Sequence, residues 1–350
     1  MSIYRLLFLA FMVFTSGCFQ QKVKPVPLFG PHAQKVAIAH THWIEPQLPV
    51  EIKQTSENAK AKQSTHVFRV VTKKPDMFNQ LRIQGPLNIT LSTNASSPRI
   101  VLKGDLADLA LVRFSVKNGT LSIISQKTKP VHTPLDIQID APSDLRSLVY
   151  DGAGSIVGHH IRTDAAFVSI NNSGNTHLDG QINLSNIIVK GKGEVEIQGV
   201  SGQNLQISLI GKPKVQLTGM AEMASLDVQG KAEFSFYWAK AGRLMVRAKE
   251  GASRIRIAGA VAYLDVELWG KAQFNGRYLR AERTFIKTHD HAIAEIVTTS
   301  RQHTLALDAS DIHFYNLPST RMDFMAKNGA VLDMRDWELR DEQEYTRYNR

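Results

Sequence analysis

The chain has a single cysteine, Cys18, in 350 residues, so no intrachain disulfide can staple it. Its N-terminal apolar run, residues 6–14, is only about nine residues long, whereas a bilayer-spanning helix needs ~20. The sequence also lacks a phosphate-binding loop, a Gly-x-Ser-x-Gly elbow and a dinucleotide fingerprint, which removes the common signatures of nucleotide enzymes and serine hydrolases. Acidic residues are outnumbered: 42 Lys and Arg against 32 Asp and Glu leave a net charge of +10. That balance favours association with anionic surfaces, although salt screens it within ~8–10 Å. A hydrophobic content of 43% is ordinary for a folded protein, and the length suffices for one or two domains.

What is present is a repeat. A glycine-led block recurs every 20 or so residues, starting near Gly152, Asn172, Gly191, Gly211, Gly230, Gly251, Gly270, Asp290 and Ser310. Four residues after each start stand Ile156, Thr176, Val195, Val215, Phe234, Ile255, Phe274, Ala294 and Phe314, and two further on a second column runs through Leu178, Ile197, Leu217, Phe236, Ile257 and Ile296. Apolar residues at alternating positions mark a strand. About ten residues later a second alternating stretch follows, as in Leu205, Ile207 and Leu209, then Leu226 and Val228, Leu244 and Val246, Leu264, Val266 and Leu268, and Leu305 and Leu307. Two strands per short repeat predict an all-β fold: a parallel β-solenoid of about nine turns over residues 151–334, preceded by a β-rich part over 66–150. At roughly 4.8 Å per turn the rod would be on the order of 40 Å long. Hairpin dipeptides do not recur between the strands, which argues against a meander.

In-register stacking makes two further expectations. The third residue after the block start reads Glu194, Lys214, Glu233, Arg254, an outward column of alternating sign. The first reads Lys192, Lys212, Lys231, Ala252, Lys271, which would form a basic edge at one corner, either a solvated turn or a stripe for an anionic envelope polysaccharide.

The N-terminus has Arg5, the apolar run, and then Thr15-Ser-Gly-Cys18. It resembles a bacterial lipoprotein signal, with Thr15 where the motif usually carries leucine. The resemblance implies a signal peptide over residues 1–17, a lipid on Cys18 as the contact with the membrane, and, with Phe19 following, residence in the outer membrane. Several acyl chains anchor stably where one does not. Residues 18–65 hold Pro25, Pro27, Pro31, Pro46 and Pro49 with little periodicity and read as a tether, and its one tryptophan, Trp43, is either incidental or part of a docking peptide ordered on a partner. An exported protein is not expected to meet nucleic acid. The charged stretch at 335–350 reads as a cap or tail, which an open solenoid end needs.

Between these parts, residues 81–94 (LRIQGPLNITLSTN), 116–124 (VKNGTLSII, with a hairpin signal at Asn118-Gly119) and 134–156 (PLDIQIDAPSDLRSLVYDGAGSI) occur in order before the repeats. This layout, over roughly residues 66–320, resembles the bacterial head GIN family of autotransporter-adhesin domains. The resemblance implies a β-helical cell-envelope protein and brings no catalytic residues with it.

Chemistry has few candidates. Aligned by the apolar residues of the second strand, Asp227, Met245 and Asp265 fall in one outward column, placing two carboxylates about 10 Å apart, near the wide end of the range for inverting glycosidases. His289-x-His291 would share a strand face and His159-His160 opposite faces, without the further ligands a metal needs. No metal or cofactor is expected. Aromatics stand out instead: Trp238 and Tyr278 occupy the eighth position, where other turns carry Gly180, Gly199, Gly219 and Gly259, and Trp269 lies nearby. They suggest an exposed platform for a protein partner or, failing that, a sugar ring. The functional expectation is a non-enzymatic outer-membrane lipoprotein, a rigid interaction component of the envelope or accessory part of a secretion assembly that contacts envelope proteins. The alternatives are a surface adhesin or glycan-binding module, and a polysaccharide lyase or hydrolase.

Overall fold

The computed structural model describes residues 68–93, 95–126 and 135–335, all within one compact unit, Gln63–Arg350. The expected signal peptide, Cys18, the expected tether with Trp43 and the expected cap or tail beyond Arg335 lie outside the described residues. Among the described residues no helix is long and apolar enough to cross a membrane.

The N-terminal part comprises β1 (Phe68–Lys73), β2 (Gln80–Gln84), β3 (Leu87–Ser92), β4 (Arg99–Asp105), the short α1 (Leu106–Leu109), β5 (Val112–Lys117), β6 (Thr120–Ser125), β7 (Leu135–Asp140) and β8 (Ser147–Gly152). Asp105 caps α1 by accepting the Ala107 N–H at 3.0 Å. Asn118 and Gly119 both take left-handed φ, 49° and 70°, and close the two-residue hairpin between β5 and β6 that the Asn-Gly pair predicts. The coils do not follow chain order. β2 and β3 pair in parallel with β6 and β7 on one side, and with β8 and the start of the next strand on the other. Outside β7 the pairing turns antiparallel, to β4 and then β1. Antiparallel strands laid over the first coils use up hydrogen-bonding groups that would otherwise be an open parallel edge.

The regular turns are β9 (Ile156–Asn172), β10 (Asn175–Gly191), β11 (Glu194–Gly211), β12 (Lys214–Gly230), β13 (Glu233–Lys249), β14 (Arg254–Leu268), β15 (Gln273–Thr288) and β16 (Ile293–Leu307), followed by β17 (Asp311–Phe314), β18 (Arg321–Lys327) and β19 (Ala330–Asp333). From β9 to β16 each strand pairs in parallel with the next, β17 and β18 both lie on β16, and β19 lies on β17, so the β-solenoid of about nine turns and its β-rich N-terminal part are as expected. The two short strands per repeat are in fact one continuous strand of 15–18 residues that bends through a corner by a register shift. Side chains from both arms point inward and fill the interior: Val195, Ile197, Ile207 and Leu209 of β11 stack on Val215, Leu217, Leu226 and Val228 of β12, then on Phe234, Phe236, Val246 and Ala248 of β13. Each such buried side chain is worth roughly 1.5–3 kcal/mol over exposure.

Glycines fix the corners where coils touch. Gly199 has φ +76°, and a β-carbon there would lie 1.8 Å from the carbonyl oxygen of Gly180 on the coil below. No other residue fits without moving backbone.

Three details of the expected register are corrected. In the ninth block Ile312, not Phe314, sits opposite Ala294, because Asp308 rather than Ser310 takes the left-handed corner held by Asp290 one turn earlier. In β16 the second arm has inverted phase. Leu305 and Leu307 are only half-buried, while Gln302, Thr304 and Ala306 point in. Neighbouring inward polar groups pair there: Thr284 and Thr298 hydroxyls at 2.9 Å, Thr288 and Ser310 at 2.8 Å, and Asn316 donates to Gln302. The Gln302 Nε2 and Thr304 Oγ1 atoms are buried without a partner. Lastly, Asp227 is not in the Asp265 column. Asp227 pairs with Arg247 and Asp265 with Met245 and Phe285, since Leu226 stacks on Val246 rather than on Leu244.

Candidate functional site

The expected charge ladder is present. Glu194, Lys214, Glu233 and Arg254 are register partners in succession. Lys214 Nζ lies 2.5 Å from Glu194 Oε1, and Arg254 Nη1 2.6 Å from Glu233 Oε1. A second column, Asp227, Arg247, Glu267 and Lys287, alternates as well. These ladders answer to stability, since opposite charges on adjacent strands attract and like charges repel.

At the solenoid's start a histidine cluster extends the pattern. His159 Nδ1 is 2.7 Å from Asp179 and His177 Nδ1 3.2 Å from Glu196. The backbone N–H of His160, donated to the Asp179 carboxylate, holds that group below the ordinary aspartate range, helped by His159. The Gln198 amide, then His177, lowers Glu196 likewise. His159 and His160 are not on opposite faces: both are exposed, because His160 turns a corner at φ +54°. His289 and His291 flank the Asp290 corner rather than sharing a strand face. Among the described residues no group of His, Cys, Asp and Glu is arranged to hold a metal.

The lysines do form a column. Corner hydrogen bonds run from Lys212 N to Gly191 O, Lys231 N to Gly211 O and Lys271 N to Gly251 O, at 2.7–2.8 Å. Lys192, Lys212, Lys231 and Lys271 are all exposed and, among the described residues, make no ion pair. Ala252 interrupts the column and His291 continues it. Trp269 belongs to this end of the cross-section, not with the other aromatics. It precedes the Gly270 corner and stacks flat on His289, with centroids 5.2 Å apart.

Trp238 and Tyr278 share the opposite edge of the same arm. They precede Ala239 and Leu279, which stack through Gly259, so the two rings stand two turns apart, about 10 Å, with Ala258 between them. Trp238 is 48% exposed and held at φ +75°, the conformation Gly199 adopts at its own corner. Left-handed backbone at a bulky residue costs of order 1–3 kcal/mol and persists where something else demands the side chain. Tyr278 is half-buried at ordinary φ. Met220, 67% exposed, precedes Ala221, the register partner of Ala239, and so joins this edge with Tyr237. Beyond the edge lies a groove of about 860 Å³ floored by small residues, among them Ala221, Ala241, Gly242, Ala260 and Ala262, and flanked by Met220, Lys240 and Arg280. Met220 and the groove did not emerge from reading the sequence. Their signal was there, in the run of Ala and Gly at the repeat period between the two arms of each turn.

A β-solenoid with glycine corners, headed by an Asn-Gly hairpin and an out-of-order first coil, is the setting of a sequence match. A family model described as "Putative auto-transporter adhesin, head GIN domain" covers residues 77–248. Residues 77–248 match the head GIN domain family. The head GIN match ends within β13, and the same parallel register continues through β14, β15 and β16. Similar solved structures include a putative adhesin from Parabacteroides merdae (14% identity, 77% of this chain and 97% of that chain, TM-score 0.40). Another is a putative lipid binding protein from Parabacteroides distasonis (15% identity, 77% and 97% coverage, TM-score 0.44). No curated protein matches the chain.

Proposed function

We propose that this protein is a non-catalytic, adhesin-like interaction component of the cell envelope, a rigid β-solenoid held at the outer membrane by lipid on Cys18. The observation that carries the reading is Trp238: a large aromatic kept half-exposed in a strained backbone conformation, on an edge shared with Met220, Tyr237 and Tyr278 and bordering an open groove. Folding alone favours glycine there, as at Gly199, so the ring answers to a contact outside the chain. The description of the matched family as an adhesin supports the same class of role.

The contact surface is a protein-facing edge. A Trp238→Ala, Tyr278→Ala protein should lose at least one envelope protein that co-purifies with the wild type, and recovery of every partner by the double variant would end the proposal. The anchor has its own test. Cys18→Ser should abolish acyl labelling and release the protein from the membrane fraction, and unchanged fractionation would rule out lipid attachment. A second reading, glycan contact through the lysine corner, is supported by four exposed ammonium groups along one edge that make no ion pair among the described residues. It predicts that glycan-array signals vanish when Lys192, Lys212, Lys231 and Lys271 are changed to Glu.

A further inference from the structure

The two charge ladders alternate in sign, as neighbouring strands favour. A third outward column does not. Arg243, Tyr263, Arg283, Arg301 and Arg321 are register partners on successive turns from β13 to β18. Arg283, Arg301 and Arg321 therefore face one another across adjacent strands at about 4.8 Å, an arrangement that repulsion makes unfavourable. Acidic neighbours relieve it only in part. Asp265 pairs with Arg243 at 3.2 Å and Asp323 with Arg301 at 3.4 Å. Among the described residues Arg283 and Arg321 have no acidic partner. Arg283 instead lies over the Tyr263 ring, 5.4 Å from its centroid, and donates to the Tyr263 hydroxyl at 3.3 Å. Beside the column Phe285 is 53% exposed. Arg243, Tyr263, Asp265, Arg283, Phe285 and Arg301 border a shallow cavity of about 420 Å³.

We infer that this arginine–aromatic face binds an acidic polysaccharide chain laid along the solenoid axis. The inference rests on the interaction role proposed above and assigns it a second surface and a ligand class. Guanidinium groups engage carboxylates and other oxyanions in a bidentate way, and exposed rings such as Tyr263 and Phe285 stack on the apolar faces of sugars. A polymer with a charge on each residue meets a row of guanidinium groups repeated once per turn. A neutral glycan leaves that row uncompensated.

The test uses the full-length protein and three probes, polygalacturonate, alginate and unsubstituted dextran, titrated by calorimetry at physiological salt. The expected result is saturable binding of both acidic polymers that weakens as salt is raised, and none of dextran. An Arg283→Gln, Arg301→Gln, Arg321→Gln variant should bind on the order of ten-fold more weakly. Its thermal midpoint should stay or rise, since repulsion is removed, and a merely structural role for the arginines would lower it. Failure of the acidic polymers to bind, equal binding of dextran, or undiminished affinity in the triple variant each overturns the assignment. If affinity falls only when Lys192, Lys212, Lys231 and Lys271 are changed to Gln, the arginine face is wrong and the interaction role stands.

Discussion

Comparing alanine with glycine at position 238 separates the strain of that corner from the contacts of its ring. Trp238 sits at φ +75° and is 48% exposed, so about half of its surface is in contact with the solenoid. Aromatic side chains bury 150–250 Å² when fully enclosed, so roughly 100 Å² is removed from water here, worth at most about 2.5 kcal/mol at 25 cal/mol per Å². Both variants lose that contribution. They differ in the backbone. Alanine keeps the left-handed penalty of about 1–2 kcal/mol, and glycine escapes it while giving up about 0.5–1 kcal/mol of chain entropy. Glycine should therefore be the more stable variant by about 1 kcal/mol, the reverse of the usual order within a strand. Urea denaturation followed by far-ultraviolet circular dichroism measures the difference. An alanine variant as stable as the glycine variant, or more so, would refute the claim that the ring is held against a backbone penalty.

Gly199→Ala, whose β-carbon meets the Gly180 carbonyl at 1.8 Å, should cost about 3 kcal/mol or more in the same denaturation assay, and a loss below about 1 kcal/mol would mean the coils can part there. Glu233→Lys puts three positive side chains in a row with Lys214 and Arg254, and it should lower stability measurably at low salt and far less in 1 M NaCl. The Asp179 and Glu196 carboxylates are held below their ordinary values, so what they contribute is present above about pH 4 and is lost as pH falls through the lowered values. Urea midpoints measured from pH 6 to pH 2 should show this loss and Asp179→Asn should reduce it, whereas identical pH profiles would show that the hydrogen bond from the His160 N–H and the His159 contact contribute nothing through Asp179.

The register was legible because two independent marks agree on it. Glycines recur where φ must be positive or coils touch, and inward columns are apolar. The ladder from Glu194 to Arg254 follows from counting. Counting failed where a mark was missing. Asp227 was misplaced because the apolar pair Leu226 and Val228 was matched to Leu244 and Val246, when the backbone sets Leu226 on Val246 and Val228 on Ala248. A two-residue slip keeps every side chain on its own face, so hydrophobicity cannot detect it. The inverted arm of β16 was hidden differently: Leu305 and Leu307 look like core, and only the pairing of Lys287 with Leu305 turns them outward and sends Gln302 and Thr304 in. Trp238 was readable as a glycine position occupied by an aromatic. The separation of Trp269 from it was not, because neighbours in sequence diverge once the chain passes a corner. The arginine column is not legible in the sequence because its members lie in the second arm, where the corner shifts the spacing between Arg283 and Arg301 to 18 residues.

On the proposed function, contacts with the envelope are made where this chain departs from the rules of its own coil. Photoreactive amino acids placed singly at Trp238, Phe285, Gln216 and Asp227, all exposed positions, test it in the intact envelope. Adducts are expected from positions 238 and 285 and none from 216 and 227, which lie in columns that obey the stacking rules. Adducts of equal yield from all four, or from 216 and 227 alone, would contradict it.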